Sequence, residues 1–258
     1  MIPDTITIVR RLNPEQLMEA VVDHLEHRLL NSIEQMDFCP LGLATGRTME
    51  PLYAALVARL SAWPGDRLQL LRQRWLSFNL DEYVGLPPEH PRSFCSFMGR
   101  HLARPLGLDP SQLLLPDGAS EDPAGAAARY AAAVSAAGGI GMQILGLGSN
   151  GHVGFNEPPC VSDVRCRVVT LSATTRKQNA PAFEGSPNLV PLEAITLGLY
   201  EILAANEIHL IVTGASKSGI LRKTLDRDGD PNVPASWLLR HPRLWLWVDD
   251  AALGEEGT

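Results

Sequence analysis

The sequence lacks the marks of several common protein classes. Its four cysteines, Cys39, Cys95, Cys160 and Cys166, form no CxxC pair in 258 residues. That spacing indicates neither a disulfide framework nor a cysteine-based zinc site, and the thiols are expected to be reduced and mostly buried. No run approaches the roughly 18 to 20 apolar residues of a membrane-spanning helix. Met1-Ile2-Pro3-Asp4 lacks the basic and apolar regions of a secretory signal. Lys and Arg number 22 against 29 Asp and Glu, for a formal net charge of -7, which argues against nucleic acid as a partner because binding phosphates in series needs a basic face. A single phosphate needs only a few local cations. No low-complexity segment interrupts the chain. The expectation is a cytoplasmic protein without membrane or nucleic-acid partners, whose 45% hydrophobic content suffices for one large α/β domain over residues 1–258.

The sequence centres on Gly146-Leu147-Gly148-Ser149-Asn150-Gly151-His152-Val153-Gly154-Phe155-Asn156-Glu157-Pro158, which follows the mostly apolar run Met142-Gln143-Ile144-Leu145. An apolar run stopping at closely spaced glycines predicts a buried strand breaking into a tight loop that approaches something closely. Asn150, His152 and Glu157 can then be presented to a single cleft. The string Gly146-Leu147-Gly148-Ser149-Asn150-Gly151 fits GxGxxG, but it lies mid-chain and opens no evident helix, so it does not read as a dinucleotide fingerprint.

Taken in order, residues 5–9 predict a strand. Asn13-Pro14-Glu15-Gln16 then predicts a helix start, with an Asn cap, Pro at the first position and Gln completing a capping box. Leu17, Val21, Leu25, Leu29 and Ile33 form its apolar stripe. A strand over 41–44 ends in Thr45-Gly46-Arg47-Thr48 before the helical pattern Leu52, Leu56 and Leu60. That junction is either an anion site at a helix N-terminus or a plain helix cap. A strand over 74–80 delivers Asp81-Glu82-Tyr83, two carboxylates that are either surface charge or a catalytic base. Helices are expected over 93–102 and 123–137, a strand over 166–171, and a helix over 192–203. A strand over 208–212 ends in Thr213-Gly214-Ala215-Ser216-Lys217, which puts Lys217 near a helix start, a poor place for a cation on dipole grounds. The last strand spans 243–248, and Asp249-Asp250 opens an exposed tail.

Strands alternating with helices predict a doubly wound, mostly parallel sheet with helices on both faces, a Rossmann-like three-layer sandwich. Ligands bind such sheets at the carboxyl ends of the strands. The clusters starting at Thr45, Asp81, Gly146 and Thr213 each follow a strand, so the topology gathers them at one edge.

On these residues the sequence resembles the glucosamine-6-phosphate deaminases of the glucosamine-6-phosphate isomerase/6-phosphogluconolactonase superfamily. The likeness is carried by Phe78-Asn79-Leu80-Asp81-Glu82-Tyr83-Val84-Gly85-Leu86-Pro87 and by Gly151-His152-Val153-Gly154-Phe155-Asn156-Glu157-Pro158. Thr45-Gly46-Arg47-Thr48 and Gly214-Ala215-Ser216-Lys217 extend it to two phosphate contacts. The resemblance implies a small-molecule sugar phosphate as substrate, converted without metal or organic cofactor to fructose 6-phosphate and ammonia. It implies that Asp81 is the base moving a proton between C2 and C1, that His152 opens the sugar ring, that Glu157 orients and charge-stabilises His152, and that Asn150 stands beside it. The phosphate falls to Thr45, Gly46, Arg47, Thr48 and Lys217, with Arg176 as the nearest arginine.

The sequence departs from the family pattern in several places. The family's phosphate arginine falls where this chain has Pro181. Asn150 stands where some members have Asp, leaving more of the charge role to Glu157. Arg47 and Met49 replace a small residue and a Pro, and Arg47 either adds a phosphate contact or points to solvent. Two rivals remain open: a 6-phosphogluconolactonase, against which Tyr83 and Phe155-Asn156-Glu157 speak, and a non-catalytic sugar-phosphate sensor, for which too few residues precede the first strand to hold a DNA-binding helix pair. The sequence leaves room for a homo-oligomer without specifying one. Residues 175–189 read as a lid-like stretch. Some hexameric members have a basic residue in an allosteric amino-sugar site where this chain has Val169, and the chain stops soon after Leu253. N-acetylglucosamine 6-phosphate is therefore expected to leave the half-saturation concentration unchanged in steady-state kinetics; a clear fall on adding it would contradict this.

Overall fold

The computed structural model describes residues 6–255; Thr5, expected in the first strand, lies outside them. Ten strands follow in order: β1 (Ile6–Arg11), β2 (Leu41–Leu43), β3 (Ser77–Asn79), β4 (Asp81–Tyr83), β5 (Leu113–Leu114), β6 (Met142–Gly146), β7 (Arg167–Thr170), β8 (Glu193–Thr196), β9 (Glu207–Val212) and β10 (Leu244–Asp249). Seven form one sheet in the order β1-β10-β9-β6-β2-β3-β5, and every adjacent pair is parallel. Its helices cover both faces, as the alternating pattern predicts. The strands β9, β6, β2 and β3 are neighbours, so the four polar clusters that follow them do converge on one stretch of the carboxyl edge.

The first helix, Pro14–Gln35, buries Leu17, Val21, Leu25 and Leu29 against the sheet, and Asn13 accepts the Gln16 N–H at 2.9 Å. The reciprocal bond of a capping box does not form among the described residues; Asn13 caps alone. Leu52, Leu56 and Leu60 are buried on helix Met49–Ser61. Burying each such side chain fully contributes roughly 1.5 to 3 kcal/mol.

The chain departs from the expected pattern mainly where it leaves the large sheet. The strand expected over 74–80 is only β3, because Arg74 closes the helix Gly65–Arg74. Leu80 then joins two sheets: its N–H donates to the Leu43 carbonyl at 2.9 Å, and its own carbonyl accepts the Leu197 N–H at 2.7 Å. The next residues form β4 of a separate antiparallel sheet, β4-β8-β7. The helix expected over 192–203 is therefore strand β8 followed by a short helix, Leu199–Leu203. Strand β7 pairs in this small sheet rather than in the parallel one. Asp249 does not begin an exposed tail: it is fully buried and caps the helix Asp250–Leu253 through the Ala252 N–H at 2.7 Å. All four cysteines are free, but only Cys160 is buried; Cys39 is exposed, and Cys95 and Cys166 are half-buried.

At the opposite end of β9, away from the polar clusters, His24, Glu207 and His209 pack beside Trp245 and Trp247. The Trp247 indole donates to His209 Nδ1 at 3.1 Å, so the proton of the neutral ring sits on Nε2, which faces Glu207 Oε1 at 3.6 Å. Arg28 Nε donates to the same carboxylate oxygen at 3.0 Å. Arg28 satisfies the carboxylate, but His24 Nε2 and His209 Nε2 are buried without a hydrogen-bond partner among the described residues, and one ligand atom from each of the three residues lies within 4.8 Å of the others. Burial, with His209 close by, pushes His24 down to about 4 from 6.5, and burial also lowers His209. An unfolded chain takes up these protons first, so the stability from keeping His24 neutral is complete above pH 6.5 and is lost as pH falls toward 4. Denaturant titrations across that window should show the wild type losing stability more steeply than His24→Gln; parallel curves would contradict the assignment.

Candidate active site

The carboxyl edge of β9, β6, β2 and β3 opens into a cleft of ≈ 480 Å³, within the range of small-molecule sites. Its walls include Thr45, Gly46, Arg47 and Thr48 after β2, Asp81 after β3, Gly148 and His152 after β6, and Lys217 after β9. A larger groove of ≈ 650 Å³ runs along the outside of helix Pro14–Gln35. Its Glu19 and Asp23 are held by Arg59, and it contains none of these clusters.

Asp81 and Glu82 are adjacent in β4, where successive side chains point to opposite faces, and the structure gives them separate tasks. Glu82 is buried and accepts three backbone N–H groups, from Tyr83, Phe94 and Cys95, at 2.8 to 2.9 Å. It thereby ties the start of helix Phe94–Met98, which Ser93 caps, to the strand. Asp81 faces the cleft, and the surface-charge reading of this pair is wrong, since the two residues are 6% and 2% exposed. Burial, with Glu82 behind it, pushes Asp81 up to about 8. Part of that burial comes from the loop after β6: a Cβ at Gly154 would stand 3.4 Å from Asp81 Oδ2.

His152 lies in the same loop with its ring flat against Gly148, where any Cβ would come within 2.3 Å of the imidazole. His152 Nδ1 and Asn150 Oδ1 are 2.6 Å apart. An amide oxygen only accepts, so Nδ1 carries the proton and Nε2 keeps a lone pair. Burial pushes His152 down to about 4, the Glu157 charge opposing and Lys217 adding to the shift. The ring is thus neutral. Glu157 acts on it only through its charge, since its carboxylate accepts the Ser172 N–H at 3.4 Å. Orientation of the imidazole belongs to Asn150, not to Glu157 as the family resemblance implied.

Across the cleft, Thr48 and Lys217 occupy the N-cap positions of helices Met49–Ser61 and Ser218–Leu225, and neither side chain makes a capping bond. The plain-cap reading of Thr48 therefore fails, and first-turn N–H groups of both helices lack a side-chain partner. Lys217 Nζ donates to the Leu147 carbonyl at 2.6 Å, and burial together with Arg47 lowers its pKa. Two cations and two helix N-termini converging in this way make an arrangement chemically suited to an anion.

Arg176 is not part of the cleft wall; its Nε is buried without a partner. Its helix, Ala173–Asn179, turns Gln178 and Asn179 to the cleft instead, and Ser149 Oγ donates to Gln178 at 2.7 Å. Sequence reasoning also missed Arg92, which lines the cleft, pairs with Glu184 and lies over the Phe183 ring at 5.4 Å. Tyr83, Phe94 and Phe155 pack together, and Phe183 of the 175–189 stretch packs on Tyr83. No spacing rule links these aromatics in sequence. Replacing the neutral acceptor with a charged one, Asn150→Asp, should raise the His152 pKa by about one unit or more, read from its imidazole resonances by NMR. An unshifted titration would mean that Asn150 does not hold Nδ1.

Comparison with known proteins identifies the family. A family model described as glucosamine-6-phosphate isomerases/6-phosphogluconolactonase matches residues 12–247. A glucosamine-6-phosphate deaminase of Rhodopirellula baltica is 41% identical over 87% of this chain and 87% of its own. That of Streptomyces avermitilis is 42% identical over 82% and 79%. A solved structure described as a monomeric glucosamine-6-phosphate deaminase superposes with a TM-score of 0.87 at 32% identity, covering 97% of this chain and all (100%) of that one. The 6-phosphogluconolactonase of Trypanosoma brucei, at 21% identity and a TM-score of 0.72 over 96% of this chain and 97% of its own, shares the fold. By the extent of these matches and the strand-end site they cover, the chain belongs to the glucosamine-6-phosphate isomerase/6-phosphogluconolactonase family.

Proposed function

We propose that the protein converts glucosamine 6-phosphate and water to fructose 6-phosphate and ammonia. The observation that carries the reading is the desolvated Asp81 carboxyl, facing one cleft together with a neutral His152 and an anion site. The names of the relatives at 41% and 42% identity support it.

The phosphate is held by the 45–48 backbone and hydroxyls with Arg47 and Lys217, which leaves the sugar toward Asp81 and His152. His152 Nε2 takes the anomeric hydroxyl proton and returns it to the ring oxygen, opening the ring to the aldehyde. Asp81 then removes the C2 proton while one proton of the C2 ammonium passes to the C1 oxygen, giving an enolamine, and Asp81 delivers its proton to C1, leaving an iminium at C2 that water hydrolyses to the ketone and ammonium. A carboxyl pushed up to about 8 would be mostly protonated in an empty cleft at neutral pH. The ammonium on C2 of the bound substrate supplies the opposite charge that favours its ionised form. A lactone lacks that group, so the same cleft ionises its base for an amino sugar and not for an ester. Binding energy at the remote phosphate positions C2 against Asp81.

The test is to incubate purified protein with glucosamine 6-phosphate and follow ammonia and fructose 6-phosphate together, with Asp81→Asn alongside and chelator present. Equal release of both products, unaffected by chelator and reduced at least about 10²-fold in the variant, is expected. Hydrolysis of 6-phosphogluconolactone in place of this turnover would assign the lactonase reaction instead. Binding without turnover of either compound would assign a sensor.

A further inference from the structure

We propose that Asp249 is a positioning residue of the phosphate site, acting through the backbone of Gly214; the proposal rests on the phosphate assignment above. Asp249 ends β10, and the pairing of Val248 with Val212 brings it alongside the turn that follows β9. Its side chain is fully buried and forms no ion pair among the described residues. Both carboxylate oxygens lie 3.0 Å from the Gly214 N–H.

A buried carboxylate without a cation is costly, and helix capping alone does not account for it. The Ala252 N–H needs only Oδ1, at 2.7 Å, whereas the Gly214 N–H draws on both oxygens. Gly214 sits at φ 86°, ψ 149°, a conformation that side-chain-bearing residues rarely adopt. Held there, its carbonyl accepts the Lys217 N–H at 3.0 Å, which closes the turn Ala215–Lys217. That turn sets the root of the Lys217 side chain, whose Nζ reaches the Leu147 carbonyl at the cleft wall. Asp249 is itself outside the cleft wall, so any effect on phosphate must pass through this turn. The carboxylate thus converts a glycine turn with many accessible conformations into one that presents Lys217 to the anion.

Two variants perturb the same hydrogen bond from opposite sides. Asp249→Asn keeps the shape and one acceptor oxygen but removes the charge. Gly214→Ala leaves Asp249 intact; a Cβ there meets nothing within 4 Å, so the substitution strains only the backbone angle. Each should weaken binding of inorganic phosphate, measured by calorimetry, by about tenfold, the worth of one charge-assisted hydrogen bond. Each should raise KM for glucosamine 6-phosphate in parallel, with kcat changed by less than about threefold. In a Lys217→Gln background, Asp249→Asn should add less than about a further twofold, because residues acting through one another are not additive. Unchanged phosphate affinity in both variants, or a loss of the same size with and without Lys217, would reduce Asp249 to a helix cap and overturn the proposal. If Asp249→Asn does not fold, Gly214→Ala alone carries the test. Failure of the wild type to turn over glucosamine 6-phosphate would count against the proposed reaction, while the phosphate measurement would still judge Asp249.

Discussion

The site depends on the way the chain leaves its parallel sheet at Leu80. One residue gives its N–H to β2 and its carbonyl to the segment after β8, so the next residue, Asp81, is fixed at the seam between two sheets. A carboxylate at an open strand end would be solvated, with an ordinary pKa near 4. Here the small sheet, the 146–158 loop and the aromatic cluster of Tyr83, Phe94, Phe155 and Phe183 exclude water from it. The cost of holding Asp81 there is met by the rest of the fold, and under the proposed function the return is a base whose charge state responds to a cationic substrate. Glu82, one residue on, anchors the seam by gathering three N–H groups.

Around that carboxyl the site uses backbone more than charge. His152 is kept neutral by burial and oriented by an amide oxygen, which holds one tautomer without promoting protonation. The proposed anion site draws on two helix starts without side-chain caps and two cations carried on strand-end turns, elements fixed by the sheet. The 175–189 stretch offers the cleft Gln178, Asn179, Pro181, Ala182 and Phe183 but no cation. In the proposed reading the grip on phosphate is built into the scaffold, and the stretch above it contributes shape and hydrogen bonding.

Much of the parallel sheet is legible in the sequence because β2, β6 and β9 are short, mostly apolar runs stopped by glycine or threonine. The four polar clusters needed only the rule that parallel strands present ligands at their carboxyl ends. The small sheet is not legible in the same way. Leu192, Ile195, Leu199 and Ile202 recur at intervals of three and four, and four strand residues followed by a five-residue helix mimic one amphipathic helix. Asp81-Glu82-Tyr83 is a strand in which two of three residues are acidic, and only its partners reveal that both carboxylates are buried. Asp249-Asp250 misleads for the same reason, since composition suggests solvent while the first of the pair is enclosed between β9 and the last helix. Arg176 is the nearest arginine in sequence, but helical geometry turns it away from the cleft its neighbours face.

The account stands on the desolvation of Asp81, and the most direct test is to titrate that carboxyl itself in the unliganded protein, by ¹³C NMR of labelled aspartate with Asp81→Asn to assign the signal. The account predicts a carboxyl resonance, missing in the variant, that titrates near 8. A titration near 4, the ordinary range for an exposed aspartate, would mean that water reaches Asp81 freely and that the seam at Leu80 does not create the base.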